Sequence, residues 1–192
     1  MIRPILAYGN PILKKKTNDI GNDDLIEIKD LVKDLWDTMY NAKGVGIAAP
    51  QIGISKSIFV IDFSYFKDED SFNESELTNQ KQVFINPKII TESGQDFTYP
   101  EGCLSIPNIT ENVVRKSNLK MSYLDEDLNP QIIICSGIIA RVIQHEYDHL
   151  QGILFTDKLA YKTRKILKNE LNNINNGNTE VKYEMSFFEK KN

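Results

Sequence analysis

The chain has 192 residues, and its composition, 41% hydrophobic and 26% charged, is that of an ordinary globular protein and argues against global disorder. Its net charge of −4 and pI near 5.3 disfavour direct binding to nucleic acid or to an anionic membrane, which requires a clustered basic face. No stretch approaches the roughly eighteen apolar residues of a membrane span, and the N-terminus lacks the features of a secretory signal. Two cysteines cannot build a disulfide framework, so we expect a cytoplasmic protein with reduced thiols that are available as ligands.

The first predicted element is an amphipathic helix over about 24–41, where apolar residues recur at helical spacing. Asp23 and Asp24 stand where a helix cap is expected. The stretch 41–53, "NAKGVGIAAPQIG", is rich in glycine and alanine and is predicted to be a loop.

Strands are predicted over 57–63 and 81–90, because both segments are rich in β-branched and aromatic residues. The acidic, polar segment 66–81 between them is predicted to be a surface excursion. Further on, the segments 119–124 and 131–137 flank the turn-like sequence "DEDLNP" and predict a β-hairpin.

The last part of the chain carries two helical patterns. An apolar stripe predicts a helix over 137–150, which Gly152 would end. Another helix is predicted from about 157 to 172, and "NNINNGN" over 172–178 is typical of a turn.

Together these elements predict a single α+β domain over residues 1–192, in which strands outnumber helices. The alternating segment 181–188, "VKYEMSFF", predicts a strand within a C-terminal tail over 173–192. The sequence leaves open whether this strand joins its own sheet or that of another chain.

Both histidines of the chain lie in the short sequence "QHEYDH", as His145 and His149 with Glu146 between them. Residues four apart on an α-helix project from one face, so both imidazoles can ligate one metal ion. In an HExxH pattern on a helix, the intervening glutamate is placed to act as a general base. The motif alone does not separate a hydrolase from a structural metal site.

Two imidazoles are too few for a stable metal site, so a third protein ligand is expected. Cys103 is one candidate, because it lies in "PEGCLSIP", where glycine permits close backbone approach and prolines stiffen the chain. Glu170 is another, since many HExxH proteases take a glutamate downstream, although nothing distinctive surrounds it. Cys135 has apolar neighbours on both sides, which is typical of a buried thiol in a strand. A set of one cysteine and two histidines would leave a fourth position open, as in catalytic sites.

The sequence is also compatible in part with three alternative functions. The sequence "GVGIAA" resembles a dinucleotide-binding loop, but a helix precedes it and a strand follows, which inverts the required order. An HExxH endopeptidase would take its third ligand downstream. A non-catalytic domain with a structural metal would need a fourth protein ligand, for which Cys135 is the remaining thiol.

Three separated stretches resemble the signature motifs of peptide deformylase: "GVGIAAPQ" at 44–51, "EGCLS" at 101–105 and "QHEYDHLQG" at 144–152. They occur in the order that the family shows, and the flanking segments "YGNPILKK" and "FINPKI" are similar too. The resemblance covers roughly residues 1–165.

This resemblance implies a peptide-deformylase-like α+β fold, with mixed and antiparallel strands packed around the central metal-binding HExxH helix at 137–150. It also implies the removal of the formyl group from the N-terminal formylmethionine of new polypeptides. The metal ligands that it implies are Cys103, His145 and His149. Glu146 would be the general base and acid. Gln51 and the backbone N–H of Leu104 would stabilise the oxyanion of the tetrahedral intermediate.

The resemblance also implies an apolar pocket for methionine and a loop against which the peptide lies extended. The residues implied are Val45, Gly46, Tyr99, Gly102, Ile138, Arg141 and Val142. For Ile138 and Val142 plain helix packing explains the pattern equally well, and Arg141 would present its aliphatic stem. Asp148 lies inside the motif without being a ligand, and we expect it to pair with Arg115.

One thiolate and two imidazoles suit zinc, iron(II), cobalt or nickel, and the resemblance implies Fe²⁺ as the physiological ion. The expected partner is an N-formylmethionyl peptide at the start of a nascent chain, and contact with the ribosome is left open. We expect a monomer that binds neither nucleic acid nor membrane directly.

Overall fold

The computed structural model describes residues 1–21, 27–70 and 72–188, in which β-strands surround one central helix. The strands are β1 (Ile5–Leu6), β2 (Gly46–Ala48), β3 (Ile58–Asp62), β4 (Lys81–Cys103), β5 (Ile106–Leu124), β6 (Pro130–Ser136) and β7 (Met185–Ser186). The α-helices are α1 (Ile28–Asn41), α2 (Gly137–Leu150) and α3 (Tyr161–Asn175). The predicted α+β class is confirmed.

Strands β2 to β6 form a five-stranded antiparallel sheet in the order β2-β3-β4-β5-β6. The predicted hairpin is present as β5 and β6. Strand β4 is far longer than the predicted 81–90, because it continues to Cys103, where it pairs with Ile106 of β5. Residues 90–96 within it are all exposed and therefore lack the alternating pattern that marks a half-buried strand, whereas residues 97–103 alternate between half-buried or buried and exposed positions. This long hairpin carries Cys103 to the central helix.

Helix α2 has the predicted bounds and lies in the centre of the main core. Its side chains Ile139 and Ile143 are fully buried among apolar side chains of the sheet that include Phe59 and Phe84. Outside the helix, Ser136 donates its backbone N–H and its hydroxyl to the Glu76 carboxylate at 2.8 and 2.9 Å. The helix that carries the HExxH motif is therefore fixed both by apolar packing and at its first turn.

Helix α1 ends at Asn41 as predicted but begins at Ile28, and the expected caps Asp23 and Asp24 lie outside the described residues. Its apolar face, including Leu35 and Met39, packs in a second core cluster beside β2 and β3. The helix thereby supports the segment that follows it.

That segment, predicted as a plain loop over 41–53, contains strand β2 and a 3₁₀ turn at Ala49–Ile52. Strand β2 pairs with β3 at the edge of the sheet, so the glycine and alanine residues here belong to a strand and not to a flexible connection. The prediction of a loop was wrong for these residues, and the turn fixes the position of Gln51.

The C-terminal part differs from the sequence predictions at its boundaries. Helix α3 starts at Tyr161 because residues Phe155–Lys158 form a separate 3₁₀ turn, and it continues to Asn175 through most of the predicted turn. The predicted final strand shrinks to β7, which pairs in parallel with β1 of the same chain. None of the helices in the described ranges has the length and apolar character that crossing a membrane requires.

Candidate active site and metal centre

Three potential metal ligands converge where the β4–β5 hairpin meets α2. The ligand atoms of Cys103, His145 and His149 all lie within 4.8 Å of one another. The Cys103 sulfur lies 3.3 Å from His149 Nε2, and the two imidazole rings lie 5.1 Å apart by their centroids. Helix α2 places the two imidazoles one turn apart, and the end of β4 places the cysteine sulfur beside them.

The alternative ligands are not in this cluster. Glu170 is exposed on α3, and Cys135 is buried in β6, where burial and then the charge of Glu76 raise its pKa to about 12. Among the described residues, Cys103, His145 and His149 form the one group of cysteine, histidine and carboxylate side chains that lie close enough together to hold one ion. An endopeptidase would need Glu170 as its third ligand and a closed structural site would need Cys135 as its fourth, and neither side chain lies beside the two histidines.

A buried carboxylate that the sequence did not single out, Glu101, organises the surroundings of the ligands. It accepts a hydrogen bond from His145 Nδ1 at 2.9 Å and two from Arg115, at 2.6 and 2.9 Å. Arg141 donates to the same carboxylate. Although burial opposes ionisation, Arg115 and His145 hold the pKa of Glu101 well below its usual range. Glu101 is therefore a carboxylate that fixes the imidazole and its tautomer.

The predicted pair of Asp148 with Arg115 is present. Arg115 Nη1 donates to Asp148 Oδ2 at 2.6 Å, while the other guanidinium nitrogens face Glu101. The side chain of Arg115 is almost fully buried, whereas the second cation on Asp148, Lys158, lies at 3.2 Å and is exposed. Arg115 thus bridges the β4 carboxylate to the metal-motif helix.

Glu146 lies on α2 against the glycine of strand β2. A Cβ placed on Gly46 would come within 2.6 Å of Glu146 Oε1, so the close approach requires glycine. The other oxygen, Glu146 Oε2, is buried and has no hydrogen-bond partner among the described residues. Burial raises the pKa of this carboxyl to about 7. A carboxyl with such a pKa can both accept and release a proton near neutral pH.

Gln51 extends from its 3₁₀ turn towards the strand end. Its Oε1 accepts a hydrogen bond from Ala48 N at 2.9 Å, which leaves the Nε2 amide pointing to Cys103 Sγ at 3.5 Å and Ser105 Oγ at 3.3 Å. Leu104 follows Cys103 in the chain and packs against Gly44, where a Cβ would meet the leucine side chain at 2.7 Å. Gln51 and Leu104 therefore flank the ligand cluster from two different segments.

These groups open into a cleft of about 780 Å³. All of the residues predicted for substrate binding line it: Val45, Gly46, Tyr99, Gly102, Ile138, Arg141 and Val142. The sequence prediction for Arg141 needs one correction. Its guanidinium is paired with Glu101 and lies over the rings of Phe97 and Tyr99, at 4.9 and 5.9 Å, so the buried charge, and not the stem alone, shapes this wall.

The C-terminal segment also borders the cleft, which sequence reasoning missed. The Tyr183 hydroxyl donates to the backbone oxygen of Leu104 at 2.8 Å, and Asn108 Nδ2 donates to the backbone oxygen of Glu180 at 3.1 Å. Burial first, and the nearby Cys103 second, raise the pKa of Tyr183 to about 12, so its hydroxyl stays protonated as a donor. No local sequence pattern predicts this contact, because Tyr183 and Leu104 lie 79 residues apart in the chain.

Comparison with known proteins agrees with this geometry. The family model for polypeptide deformylase matches residues 2–165. The peptide deformylase of Christiangramia forsetii is 47% identical over 190 residues, covering 97% of this chain and 96% of the relative. A crystal structure of peptide deformylase from Plasmodium falciparum superimposes with a TM-score of 0.78 at 36% identity, covering 90% of this chain and 95% of that one. The peptide deformylase of Synechococcus elongatus, solved in complex with actinonin, has a TM-score of 0.73 at 34% identity and covers 92% of this chain and 85% of that one.

Proposed function

This chain belongs to the polypeptide deformylase family, whose metal-dependent enzymes remove the N-terminal formyl group of newly made polypeptides, and on that premise we propose how its own residues carry out the reaction. The observation that carries the assignment is the cluster of Cys103, His145 and His149 beside the buried Glu146. We assign the three clustered residues as the ligands of one divalent metal ion.

The donor set fits such an ion. The separation of 3.3 Å between Cys103 Sγ and His149 Nε2 is close to the ~3.6 Å that ordinary thiolate and imidazole bonds would give across a tetrahedral ion. His145 presents Nε2 because Glu101 occupies its Nδ1. The chemistry that a bound divalent ion supplies is Lewis acidity, which makes a hydroxide nucleophile available near neutral pH. One thiolate with two imidazoles accommodates iron, zinc, nickel or cobalt, and we assign Fe²⁺ on the family resemblance.

Glu146 moves the proton. Its unpartnered Oε2 is the atom that accepts a proton from the attacking water and later delivers it to the nitrogen of the departing amine. A carboxyl with a pKa of about 7 suits both halves of this transfer at neutral pH.

The negative charge that develops on the formyl oxygen is stabilised by two donors. Gln51 Nε2 is preset for this role because Ala48 holds the other end of the same amide. The backbone N–H of Leu104 is the second donor. Removal of one such donor typically costs about 2.7–4 kcal/mol in the transition state, which is a hundredfold or more in rate.

The methionine side chain of the substrate is proposed to enter the apolar part of the cleft, between Ile138 and Val142 of α2 and Val45 and Tyr99 of the opposite walls. Gly46 and Gly102 let the peptide backbone approach, and the peptide lies extended along the loop that leads into β2. Arg141, whose guanidinium is paired with Glu101, also lines this pocket. The substrate class is N-formylmethionyl peptides.

We further propose that the protein acts in the cytoplasm, as a monomer with one catalytic domain, on nascent chains close to the ribosome. The net charge of −4 supports action on the emerging peptide without direct contact to nucleic acid. Actinonin, bound by the Synechococcus elongatus relative, is expected to compete for the same cleft.

The experiment that tests this function is formate release from formyl-Met-Ala-Ser by protein purified without oxygen and loaded with Fe²⁺. Acetyl-Met-Ala-Ser and a peptide with only internal amide bonds run alongside as controls. Rapid formate from the formyl peptide alone is expected. Absence of formate from folded, metal-loaded protein would overturn the assignment, and cleavage of the internal bonds would favour an endopeptidase. Full activity after air exposure without added metal would contradict Fe²⁺.

A further inference from the structure

The segment that follows α3 forms one side of the catalytic cleft although it lies outside residues 2–165, the part of the chain that matches the family model. Glu180, Val181, Lys182 and Tyr183 all line the cleft. The chain therefore adds a wall to its site from a region that the family motifs do not include.

This segment is held on both sides of Tyr183. Before it, Asn108 Nδ2 donates to the backbone oxygen of Glu180 at 3.1 Å. After it, the backbone N–H of Ile5 donates to the oxygen of Glu184 at 2.9 Å, where β1 and β7 begin to pair. Asn108 has a positive φ of 64°, so this side chain projects from a turn-like backbone conformation that asparagine tolerates. Two anchors from distant parts of the chain thus fix where the Tyr183 ring lies.

The ring reaches the turn that follows Cys103. Its hydroxyl donates to the Leu104 oxygen at 2.8 Å, and the next carbonyl, that of Ser105, accepts a hydrogen bond from the Tyr8 backbone at 2.8 Å. Both carbonyls of this turn are therefore held by segments from opposite ends of the chain. Without the phenol, the Leu104 carbonyl would lose the partner that fixes its peptide plane, one Cα away from the Leu104 N–H.

We propose that Tyr183 is a positioning residue for the deformylation reaction. Its hydroxyl holds the Leu104–Ser105 peptide plane and thereby, through the Leu104 Cα, the orientation in which the Leu104 N–H faces the formyl oxygen. The inference rests on the oxyanion role proposed above for Leu104. Hydrogen bonds to a developing oxyanion depend steeply on placement, since a small displacement of a positioned group lowers the rate strongly. The contact acts on the transition state and not on the methionine pocket, so it should affect kcat and leave KM unchanged.

The test is a comparison of Tyr183→Phe with the wild type and with a matched control, Tyr123→Phe. Tyr123 also donates its hydroxyl to a single partner, Gln82 Oε1 at 3.2 Å, but lies in the sheet away from the cleft. For each protein, kcat and KM are measured for formyl-Met-Ala-Ser, together with bound metal and the thermal unfolding midpoint. We expect Tyr183→Phe to lower kcat roughly threefold to tenfold, the equivalent of one lost neutral hydrogen bond, with KM within about twofold of the wild type and full metal content. Tyr123→Phe should retain the wild-type kcat.

Each other outcome overturns the inference. An unchanged kcat in Tyr183→Phe shows that the hydroxyl positions nothing, and a raised KM alone makes the tyrosine only a wall of the cleft. An equal fall of kcat in Tyr123→Phe, or failure of Tyr183→Phe to fold, assigns the tyrosine a general structural role. A wild type that releases no formate removes the proposed function and this inference with it, whereas an active wild type with an unaffected Tyr183→Phe removes only the inference.

Discussion

The Glu101 carboxylate accepts a hydrogen bond from His145 Nδ1 at 2.9 Å, which fixes the imidazole with Nε2 free for a metal ion. The two residues come from the end of β4 and the middle of α2, so this contact joins the strand that carries Cys103 to the helix that carries both histidines. The same carboxylate forms ion pairs with Arg115 and Arg141, and Asp148 supplies a second negative charge beside Arg115. One side chain therefore orients an expected metal ligand and pairs with two buried guanidinium groups.

Glu101→Gln is expected to weaken metal binding by roughly tenfold to a hundredfold, because a neutral amide orients His145 less firmly. Unfolding should also become easier by about 3–5 kcal/mol, since Arg115 and Arg141 lose the charge that pairs them in the protein interior. Titration with zinc and denaturant unfolding measure the two effects. Glu92→Gln, an exposed position on the same strand, serves as the control and should change neither. Wild-type metal affinity in Glu101→Gln would remove this role.

Arg115 and Lys158 provide a comparison between a buried and an exposed cation on one carboxylate. Arg115→Leu removes the buried cation that Glu101 and Asp148 share and is expected to destabilise the fold by about 3–5 kcal/mol. Lys158→Leu removes only an exposed contact at 3.2 Å and should cost less than about 1 kcal/mol. Equilibrium unfolding in urea measures both. Similar losses in the two variants would show that burial does not govern the strength of these pairs.

Asp62 gives a pH-dependent prediction away from the metal ligands. Although burial opposes ionisation, hydrogen bonds from Ser64 and Tyr40 hold the pKa of this carboxyl below its usual range. A lowered folded-state pKa contributes stability above the pKa of the unfolded chain, and that stability is lost as the pH falls through the folded value. Asp62→Asn should therefore be about 1–2 kcal/mol less stable than the wild type at pH 7, and the difference should shrink steadily below about pH 4.

Unfolding free energies of both proteins across this pH range provide the measurement. Asp68→Asn, at an exposed position in the same region, is the control and should follow the wild type throughout. A difference between Asp62→Asn and the wild type that grows on acidification would contradict the assignment, because it would mean that the folded protein prefers the protonated form.

The features that the sequence predicted correctly are those whose signal lies within one short stretch of the chain. Helix α2 was predicted with its observed bounds because the apolar stripe and the following glycine lie in one short window. Cys103, His145 and His149 lie in motifs that can be recognised one at a time. Glu101 also stands in a recognised motif, but its role depends on partners 14 to 44 residues away, which no local pattern contains.

Other features were missed because their cause is tertiary. Residues 90–96 of β4 are exposed on both faces, so their strand conformation comes from pairing with β5 and leaves no periodic trace. The loop predicted over 41–53 is partly strand because β3 offers an edge to pair with. Tyr183 lies in a segment predicted only as a tail strand, and its contact with Leu104 depends on where the C-terminal segment packs against the rest of the protein.

Gly46 is expected to be essential for the position of Glu146. A Cβ at this position would meet Glu146 Oε1 at 2.6 Å and Cδ at 2.9 Å, so Gly46→Ala must displace the carboxylate or strand β2. We expect kcat for deformylation to fall at least about a hundredfold, as when a general base is misplaced, while bound metal stays at the wild-type level. Steady-state formate release and metal analysis distinguish the two. Retained activity in Gly46→Ala would show that Glu146 can work from another rotamer.

The two cysteines are expected to differ sharply in their dependence on metal. Cys103 is half-buried and lines the cleft, whereas Cys135 is buried in β6 with a pKa raised to about 12 by burial, so its thiolate is scarce at neutral pH. Iodoacetamide should therefore leave Cys135 unmodified in the folded protein with or without metal. Cys103 should be protected in the metal-loaded protein and alkylated after chelation.

Serine substitutions distinguish the proposed metal ligand, Cys103, from the buried thiol of Cys135. Cys103→Ser is expected to lose most of its bound metal and its deformylase activity, because a hydroxyl replaces the thiolate that completes the ligand set. Cys135→Ser should keep both, at a cost of about 1–3 kcal/mol in stability for burying a hydroxyl among apolar side chains. Mass spectrometry of the alkylated peptides and metal analysis measure these outcomes. Alkylation of Cys103 at equal rates in the loaded and chelated protein would mean that its sulfur does not bind the ion, and the ligand assignment would have to be abandoned.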